Sequence, residues 1–254
     1  MRLIKFILVL VFLVSCNHNN DETINCTNYL ESIDFSFGLD YENQSKYLIS
    51  GEQSGLDTTY ITEIQNEIGP INNTIGDILK FCHWFNQNFS FSNAGGGMIG
   101  SVTANDIYKE KTYYGCHSAA LFISSALRKF NFPAVMVETA CIQWAYDYND
   151  GTTQMFAGHV MSEIYVDNKW ILLDNNCTYI ENYDPLNPYI STMDQNYWFY
   201  NQGLFVIAKG VDTWDYYSKT SSDTEEMMLD FAENIECLED YFDTVNYIWK
   251  NEAK

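Results

Sequence analysis

The segment GCHSAALFISSALRKFNFPA, residues 115–134, predicts a helix over Ser118–Phe130 with a cysteine at its N-terminal end. Its apolar residues recur at helical spacing and form one stripe, at positions 116, 119, 120, 123, 127 and 130. The helix has a clear end, because Asn131 tolerates the left-handed backbone that closes helices and Pro133 pushes Phe132 out of helical geometry. Cys116 therefore stands at a helix N-terminus, where the pKa of a thiol falls.

Strand-like segments follow this helix. Residues 134–144 are rich in β-branched and aromatic side chains and predict extended structure that runs through Cys141 to Trp144. Turn residues at 149–151 separate this segment from three further predicted strands, which are Gly158–Val166, Trp170–Asp174 and Gly203–Ala208. The second half of the chain is therefore expected to form a sheet beside the cysteine helix.

The spacing of His159 and Asp174 predicts that the two side chains meet if Asp167-Asn168 is a two-residue turn. The cross-strand pairs are then Val166 with Lys169, Tyr165 with Trp170, Glu163 with Leu172 and Met161 with Asp174. In this register His159 lies diagonal to Asp174 on one face, so the carboxylate can orient the imidazole. A three-residue turn would put them on opposite faces unless a bulge restored the parity.

Each of these residues also has a structural explanation when it is taken alone. A single cysteine at a helix start is more often a packing residue than a nucleophile. A histidine and an aspartate on strands are usually structural as well. The case for catalysis therefore depends on Cys116, His159 and Asp174 acting together.

The motifs together resemble those of the transglutaminase-like family, which has the papain-type thiol fold. The resemblance covers about residues 75–175 and rests on the segment 116–134 with its Cys, Leu-Arg and Pro-Ala steps, on Gly158-His159, and on Asp174 at the end of the next strand. It implies an α+β fold in which the nucleophile opens a central helix that packs on an antiparallel sheet. Three ordered motifs over this length are more specific than any one of them.

The same resemblance implies a Cys-His-Asp triad that needs no cofactor. Cys116 would attack a carboxamide or ester carbonyl, His159 would take and return the proton, and Asp174 would fix the imidazole tautomer. A thioester follows, and it is resolved by water or by an amine. The chain has Tyr114 where the family usually has Gly, and no Gln close before the cysteine offers itself as an oxyanion donor. Backbone N–H groups at the helix start are the expected donors.

The N-terminal residues resemble a bacterial lipoprotein signal peptide. Arg2 and Lys5 precede a wholly apolar run over 6–14, and Leu13-Val14-Ser15-Cys16 resembles a lipobox. Cleavage after residue 15 would make Cys16 the lipidated N-terminus, and polar residues up to position 26 would form a tether. The expected location is the bacterial cell envelope, with the protein anchored to a membrane through its N-terminal lipid.

Charge and histidine spacing exclude other classes of partner. Lys and Arg number 13 against 34 Asp and Glu, so the formal net charge is −21 and a nucleic-acid partner is not expected. The four histidines, at 18, 83, 117 and 159, lack the spacing of metal ligands, so no metal is expected. We interpret His117 as a loop residue rather than a ligand.

The chain has seven cysteines, of which Cys16 is assigned to the lipid anchor. An exported protein can oxidise the others. If Cys116 stays reduced, five remain and allow at most two disulfides. We predict Cys141 paired with Cys177.

The remaining segments frame one domain. Helices are predicted after the caps Thr74 and Thr103, with a flexible Gly-rich loop at 92–98 between them. The predicted organisation is a signal peptide over 1–15, the lipidated tether over 16–26, a transglutaminase-like domain over 27–222, and an acidic helix over 223–254 that packs on the domain.

Two hypotheses for function remain. The first is a cell-envelope thiol enzyme that acts on amides of peptides, proteins or peptidoglycan stems, with hydrolysis favoured over acyl transfer. The alternative is a membrane-tethered binding module on the same fold, in which some of the 16 Phe, 6 Trp and 19 Tyr form a peptide or glycan surface.

Overall fold

The computed structural model describes residues 26–92, 98–191, 202–216 and 218–251. The helices are α1 Cys26–Ser32, α2 Thr58–Ile68, α3 Ile75–Asn88, α4 Ala104–Glu110, α5 Cys116–Lys129, α6 Ile142–Asn149 and α7 Ser221–Glu233. The strands are β1 Ser90–Phe91, β2 Thr112–Tyr113, β3 Ala134–Cys141, β4 Gly158–Val166, β5 Lys169–Leu173, β6 Tyr179–Ile180, β7 Tyr189–Ile190, β8 Leu204–Gly210 and β9 Trp249–Lys250. None of the helices in these ranges is long and apolar enough to cross a membrane.

The main sheet is antiparallel and has the strand order β7-β8-β3-β4-β5-β6-β9. Strands β1 and β2 form a separate, short parallel pair. The long strands β3 and β4 lie at the centre, so the residues at their ends occupy fixed positions relative to each other. The α+β fold class predicted from the sequence is confirmed.

Helix α5 covers one face of this sheet. Ala134 and Met136 of β3 pack into the core that contains the helix, whereas Val135 and Val137 pack into a second core on the other face. This alternation gives β3 two buried faces and explains its nearly continuous apolar sequence.

Arg128 fixes the C-terminal end of α5 to the sheet. Its Nε donates to the carbonyl oxygen of Ala134 at 2.9 Å, and its Nη2 donates to the carbonyl oxygen of Val211. The helix closes with Asn131 at φ +69°, as the sequence predicts. The Leu-Arg and Pro-Ala steps of the motif therefore set the distance between the helix and the first central strand.

The predicted caps of the two preceding helices are also confirmed. Thr74 caps α3 and Thr103 caps α4, and each forms a capping box with an aspartate three residues later, Asp77 and Asp106. These caps fix where α3 and α4 begin as they pack against α5.

The segment 142–144 was predicted as a continuation of a strand, and this prediction is wrong. Strand β3 ends at Cys141, and α6 begins at the next residue. Trp144 and Tyr148, four residues apart, lie on one side of α6, with ring centroids 5.5 Å apart. Apolar residues are common in strands and buried helices alike, so this short segment does not distinguish them.

The C-terminal segment contains less helix than predicted. Helix α7 ends at Glu233, a 3-10 helix follows over Ile235–Tyr241, and the chain then reaches the edge of the sheet as β9. Phe231, Ile235 and Leu238 still pack into the second core, so the apolar spacing is used although the backbone changes.

The predicted disulfide is wrong. The structure bonds Cys26 to Cys237, and Cys141 and Cys177 are free and buried. Those two residues cannot meet, because Cys141 belongs to the core on the face away from α5 and Cys177 to the core that contains α5. Cys26, which was assigned to the tether, begins α1.

Two predictions fall on residues outside the described ranges. Residues 1–25 include the predicted signal peptide and Cys16, and residues 93–97 include the glycines of the predicted loop.

Candidate active site

Cys116 is the first residue of α5 and follows a glycine with an unusual backbone. Gly115 has φ +136°, a region in which a side chain would be strained. The Tyr114 N–H donates to Ser118 Oγ at 2.7 Å and fixes the approach to the helix. Because Ala119 N–H is the donor to the Gly115 carbonyl, the N–H groups of Cys116 and His117 have no acceptor within the helix.

His159 and Asp174 are brought together by the β4–β5 hairpin. Asp167 and Asn168 both have positive φ, and Val166 pairs with Lys169, so the predicted two-residue turn and register are confirmed. Pairing stops at Ser162 with Leu173, one step short of the predicted Met161–Asp174 pair.

Asp174 instead leaves the sheet and closes a small turn, in which its N–H donates to the Thr178 carbonyl oxygen at 2.9 Å. His159 Nε2 lies 3.0 Å from Asp174 Oδ1, with both side chains largely buried. The carboxylate therefore holds the ring by one nitrogen.

The other ring nitrogen of His159 is assigned to the hydrogen bond with the Cys116 thiol. The imidazole of His159 hydrogen-bonds Cys116, and since Nε2 is taken by Asp174, Nδ1 is the atom that remains. Gly158 permits this close arrangement, because a Cβ there would lie 2.2 Å from the Thr139 carbonyl oxygen. The structure thus brings together Cys116, His159 and Asp174 in the order expected for a nucleophile, a base and an orienting carboxylate.

A second histidine contacts the same sulfur, and the interpretation of His117 as a loop residue is wrong. His117 is the second residue of α5, and its Nδ1 lies 3.9 Å from Cys116 Sγ. Its Nε2 lies 2.6 Å from Oε2 of Glu138, a buried residue of β3. Glu138 was not predicted as a site residue, although a glutamate within the apolar strand AVMVETAC is a usable signal.

The two imidazoles determine the ionisation of the thiol. Burial raises the pKa of Cys116, but hydrogen bonds and positive charge from His117 and His159 outweigh it and lower the pKa to about 6. Burial lowers the pKa of His117, but the charge of Glu138 and hydrogen bonds to Cys116 and Glu138 raise it to about 10. For His159, burial is likewise outweighed by Asp174 and Cys116, and the pKa lies well above its ordinary value. The geometry favours a thiolate between two imidazolium groups at neutral pH.

A cavity of about 290 Å³ lies beside the thiol, and Cys116, His117 and Glu138 line it. Most of the wall is apolar and comes from Phe91, Met98, Ile99, Tyr114, Phe156 and Met228. Glu225 of α7 adds a carboxylate. Within the described residues, no group of three or more His, Cys, Asp or Glu side chains has an arrangement that could hold a metal ion.

Two solved structures are similar to this chain. A crystal structure of a candidate cysteine protease from Cytophaga hutchinsonii has 19% sequence identity and a TM-score of 0.48 over 71% of this chain and 51% of the other. A crystal structure of a TGase has 11% identity and a TM-score of 0.29 over 59% of this chain and 35% of the other. The chain thus spans about half the length of the first protein. No protein-family model and no curated protein matches the sequence.

Proposed function

We propose that this protein is a transglutaminase-like cysteine hydrolase that cleaves peptide-like amides through a thioester. The observation that supports this most directly is the hydrogen-bonded series from the Cys116 thiol through His159 to Asp174, with 3.0 Å between His159 Nε2 and Asp174 Oδ1. The series adjoins a cavity large enough to admit a side chain next to a carbonyl carbon.

In the proposed reaction, the Cys116 thiolate attacks the carbonyl carbon and forms a carbon–sulfur bond. The N–H groups of Cys116 and His117 at the start of α5 donate hydrogen bonds to the oxyanion. His159 gives its proton to the leaving amine, the carbon–nitrogen bond breaks, and the thioester remains. Neutral His159 then takes a proton from water, hydroxide attacks the thioester, and the acid and the thiolate are released.

The surroundings of the thiol favour particular substrates. The apolar wall accommodates an aliphatic or aromatic side chain on the acyl side of the scissile bond. Glu225 and the net charge of −21 disfavour acidic substrates. Peptides, proteins and peptidoglycan stems contain such amides.

We propose hydrolysis rather than acyl transfer as the main outcome. An acidic protein attracts cationic amines but stabilises their protonated form, which has no lone pair to attack the thioester. Water is not held in such a protonated form, so this barrier does not slow its attack on the thioester.

We further propose that the protein is anchored in a bacterial cell envelope through Cys16. The support is the lipobox-like Leu13-Val14-Ser15-Cys16 after an apolar run. The test is mass spectrometry of the mature protein purified from a bacterial host. An acylated Cys16 at the N-terminus, lost in Cys16→Ala, is expected, and an unmodified terminus at another residue would contradict the proposal.

The experiment for the enzymatic proposal is a screen of fluorogenic peptide amides followed by partitioning. With the best donor, rising concentrations of a primary amine are added and both products are measured. Hydrolysis is expected to dominate at low amine, and Cys116→Ser is expected to abolish both products. The matched control is Cys141→Ser, which removes a buried free thiol and is expected to retain turnover. Turnover that persists in Cys116→Ser would overturn the proposal, and amine adduct in excess at low amine would assign the protein as a transferase.

A further inference from the structure

We infer that His117 is a catalytic residue that acts as a permanent cationic partner of the Cys116 thiolate, and that Glu138 is the residue that positions it. This inference rests on the proposed function, in which Cys116 is the nucleophile. It adds a second histidine–carboxylate pair to the same sulfur, on the side of the cavity rather than on the side of the β4–β5 hairpin.

The first support is the contact geometry. His117 Nδ1 is 3.9 Å from Cys116 Sγ, which is within hydrogen-bond reach of sulfur, and Nε2 is 2.6 Å from Glu138 Oε2. The side chains of His117 and Glu138 are 14% and 2% exposed, so solvent screens their interaction weakly. Carboxylate, imidazole and sulfur thus form a second series at the same sulfur, in which an ion pair joins Glu138 to His117.

The second support is the local shape of β3. Ala134 and Met136 face α5, and Glu138 continues this alternation toward the helix. Pairing with β8 shifts register between Glu138 and Thr139, and Ala140 then packs on the face away from α5. The unpaired residue at this shift is Ile207 of β8, whereas β3 pairs with β4 without interruption, Glu138 with Val160 and Thr139 with His159. Plain alternation along β3 therefore directs Glu138 to the face of α5.

The third support is that Glu138 is otherwise poorly satisfied. Among the described residues, Glu138 contacts His117 and the hydroxyl of Tyr216, which lies at 3.4 Å. A buried carboxylate with one long hydrogen bond needs a cation, and protonated His117 is the cation at hand. The charge on His117 is therefore a requirement of the fold as well as an aid to the thiolate.

The two histidines then have different roles in the reaction. His159 has to alternate between imidazolium and neutral imidazole, because it gives a proton to the leaving amine and takes one from water. His117 keeps its proton, because losing it would leave Glu138 unpaired. It stabilises the thiolate before attack and again when the thiolate leaves the second tetrahedral intermediate.

The charged and titratable groups near His117 come from each element around it. Cys116 on α5 and Glu138 on β3 contact His117 directly, and Glu225 on α7 lines the same cavity. One contact further away, His159 on β4 and Cys141 at the end of β3 interact with Cys116, and Tyr216 in the segment after β8 interacts with Glu138. The carboxylates favour the charged form of His117 and the histidines favour the thiolate.

The test measures the rate of iodoacetamide alkylation at Cys116 as a function of pH, by peptide mapping, in the whole protein. His117→Gln and Glu138→Gln are each expected to raise the midpoint of the profile by at least about one pH unit. His159→Gln is expected to raise it too, but to leave it below the value of about 8.5 for an ordinary thiol, because His117 remains. His83→Gln, on α3, is the control and is expected to leave the profile unchanged.

A measurement on the unaltered protein tests the inference even if the variants fail to fold. The chain has four histidines, so NMR spectra of protein with labelled histidine can be assigned by substitution. The His117 ring is expected to remain protonated past pH 8, well above the ordinary value of about 6.5.

The outcomes separate this inference from the proposed function. An unchanged alkylation midpoint in a folded His117→Gln variant, or a His117 ring that titrates near about pH 6.5, would overturn the inference and leave the triad intact. A midpoint that responds to His117→Gln but not to His159→Gln would support the inference and count against the proposed triad.

Discussion

Two clusters of buried charge lie on opposite faces of the same sheet, and they differ in whether a substrate can reach them. The closed cluster consists of Glu163, Lys209, Tyr41 and Tyr183 and lies on the face away from α5. The reactive cluster consists of Cys116, His117, Glu138, His159 and Asp174 and lies at the start of α5.

In the closed cluster every charge has strong partners. Lys209 Nζ lies 2.5 Å from Glu163 Oε1 and donates to the Pro185 carbonyl oxygen at 2.6 Å. Tyr41 and Tyr183 each donate to Glu163 at 2.7 Å. The side chains of Lys209 and Glu163 are 1% and 0% exposed, so no substrate reaches them.

The reactive cluster also pairs its charges, but it contains the proposed nucleophile, Cys116, which lines a cavity. Burial and perturbed ionisation are common to both clusters, so neither property identifies a catalytic site by itself. The clusters differ in access, because the Cys116 thiol of the reactive cluster lines a cavity whereas the charges of the closed cluster are buried. If the two clusters have different roles, substitutions in the reactive cluster should change function and substitutions in the closed cluster should change stability.

The largest effect is expected from Asp174→Asn in the reactive cluster. The amide cannot stabilise the imidazolium form of His159, and it can hold the wrong tautomer, so turnover of the screened amide should fall about 10⁴-fold. Glu181→Gln is the matched control, because Glu181 pairs with Lys169 at the surface. Turnover within about tenfold of the unaltered protein would remove Asp174 from the mechanism.

The next effect is expected from Lys209→Met in the closed cluster. It leaves the Glu163 carboxylate buried without its cation, which should lower the free energy of unfolding by about 3 kcal/mol. The measurement is urea unfolding, with Lys169→Met as control, since its partly exposed ion pair with Glu181 should contribute less than about 1 kcal/mol. The alkylation profile of Cys116 should not move. A shift in that profile would show that the clusters are coupled.

The pH dependence of labelling separates Cys116 from the other thiols. With a pKa of about 6, Cys116 is thiolate above that pH, so its alkylation rate should be constant at higher pH and fall as acid protonates it. Cys141 is the internal comparison, because burial raises the pKa of its thiol and it should stay unlabelled in folded protein. Equal labelling of the two at neutral pH would favour the binding-module alternative.

The elements that position the proposed triad were predictable because local chemistry determines them. The glycine before Cys116, the stop at Asn131 and Pro133, and the Asp167-Asn168 turn each specify a backbone conformation from adjacent residues. The turn then sets the hairpin register, and that register predicts that His159 lies near Asp174.

The missed features depend on contacts between distant segments. The pairing of Cys26 with Cys237 joins residues separated by 211 positions, and no spacing rule predicts it. The contact of His117 with Glu138 joins the start of α5 to β3, and it was missed because His117 was interpreted as a loop residue. The start of α6 at Ile142 was missed because apolar runs fit strand and buried helix equally well.

The smallest effects are expected from two tyrosine-to-phenylalanine substitutions, one on each face of the sheet. Tyr183 donates to Glu163 at 2.7 Å, whereas Tyr216 lies 3.4 Å from Glu138. A short hydrogen bond to a buried carboxylate contributes about 1.5 kcal/mol or more, so Tyr183→Phe should lower the free energy of unfolding by that amount.

Tyr216→Phe should cost less than about 0.5 kcal/mol, because its bond is at the limit of useful distance and His117 already compensates Glu138. Urea unfolding of the two variants side by side is the measurement, with the alkylation profile of Cys116 as a second readout in Tyr216→Phe. If Tyr216→Phe proved the more destabilising, Glu138 would depend on the phenol rather than on the imidazole. The reactive cluster would then be held by hydrogen bonds of the same kind as the closed one, and the separation between them would fail at Glu138.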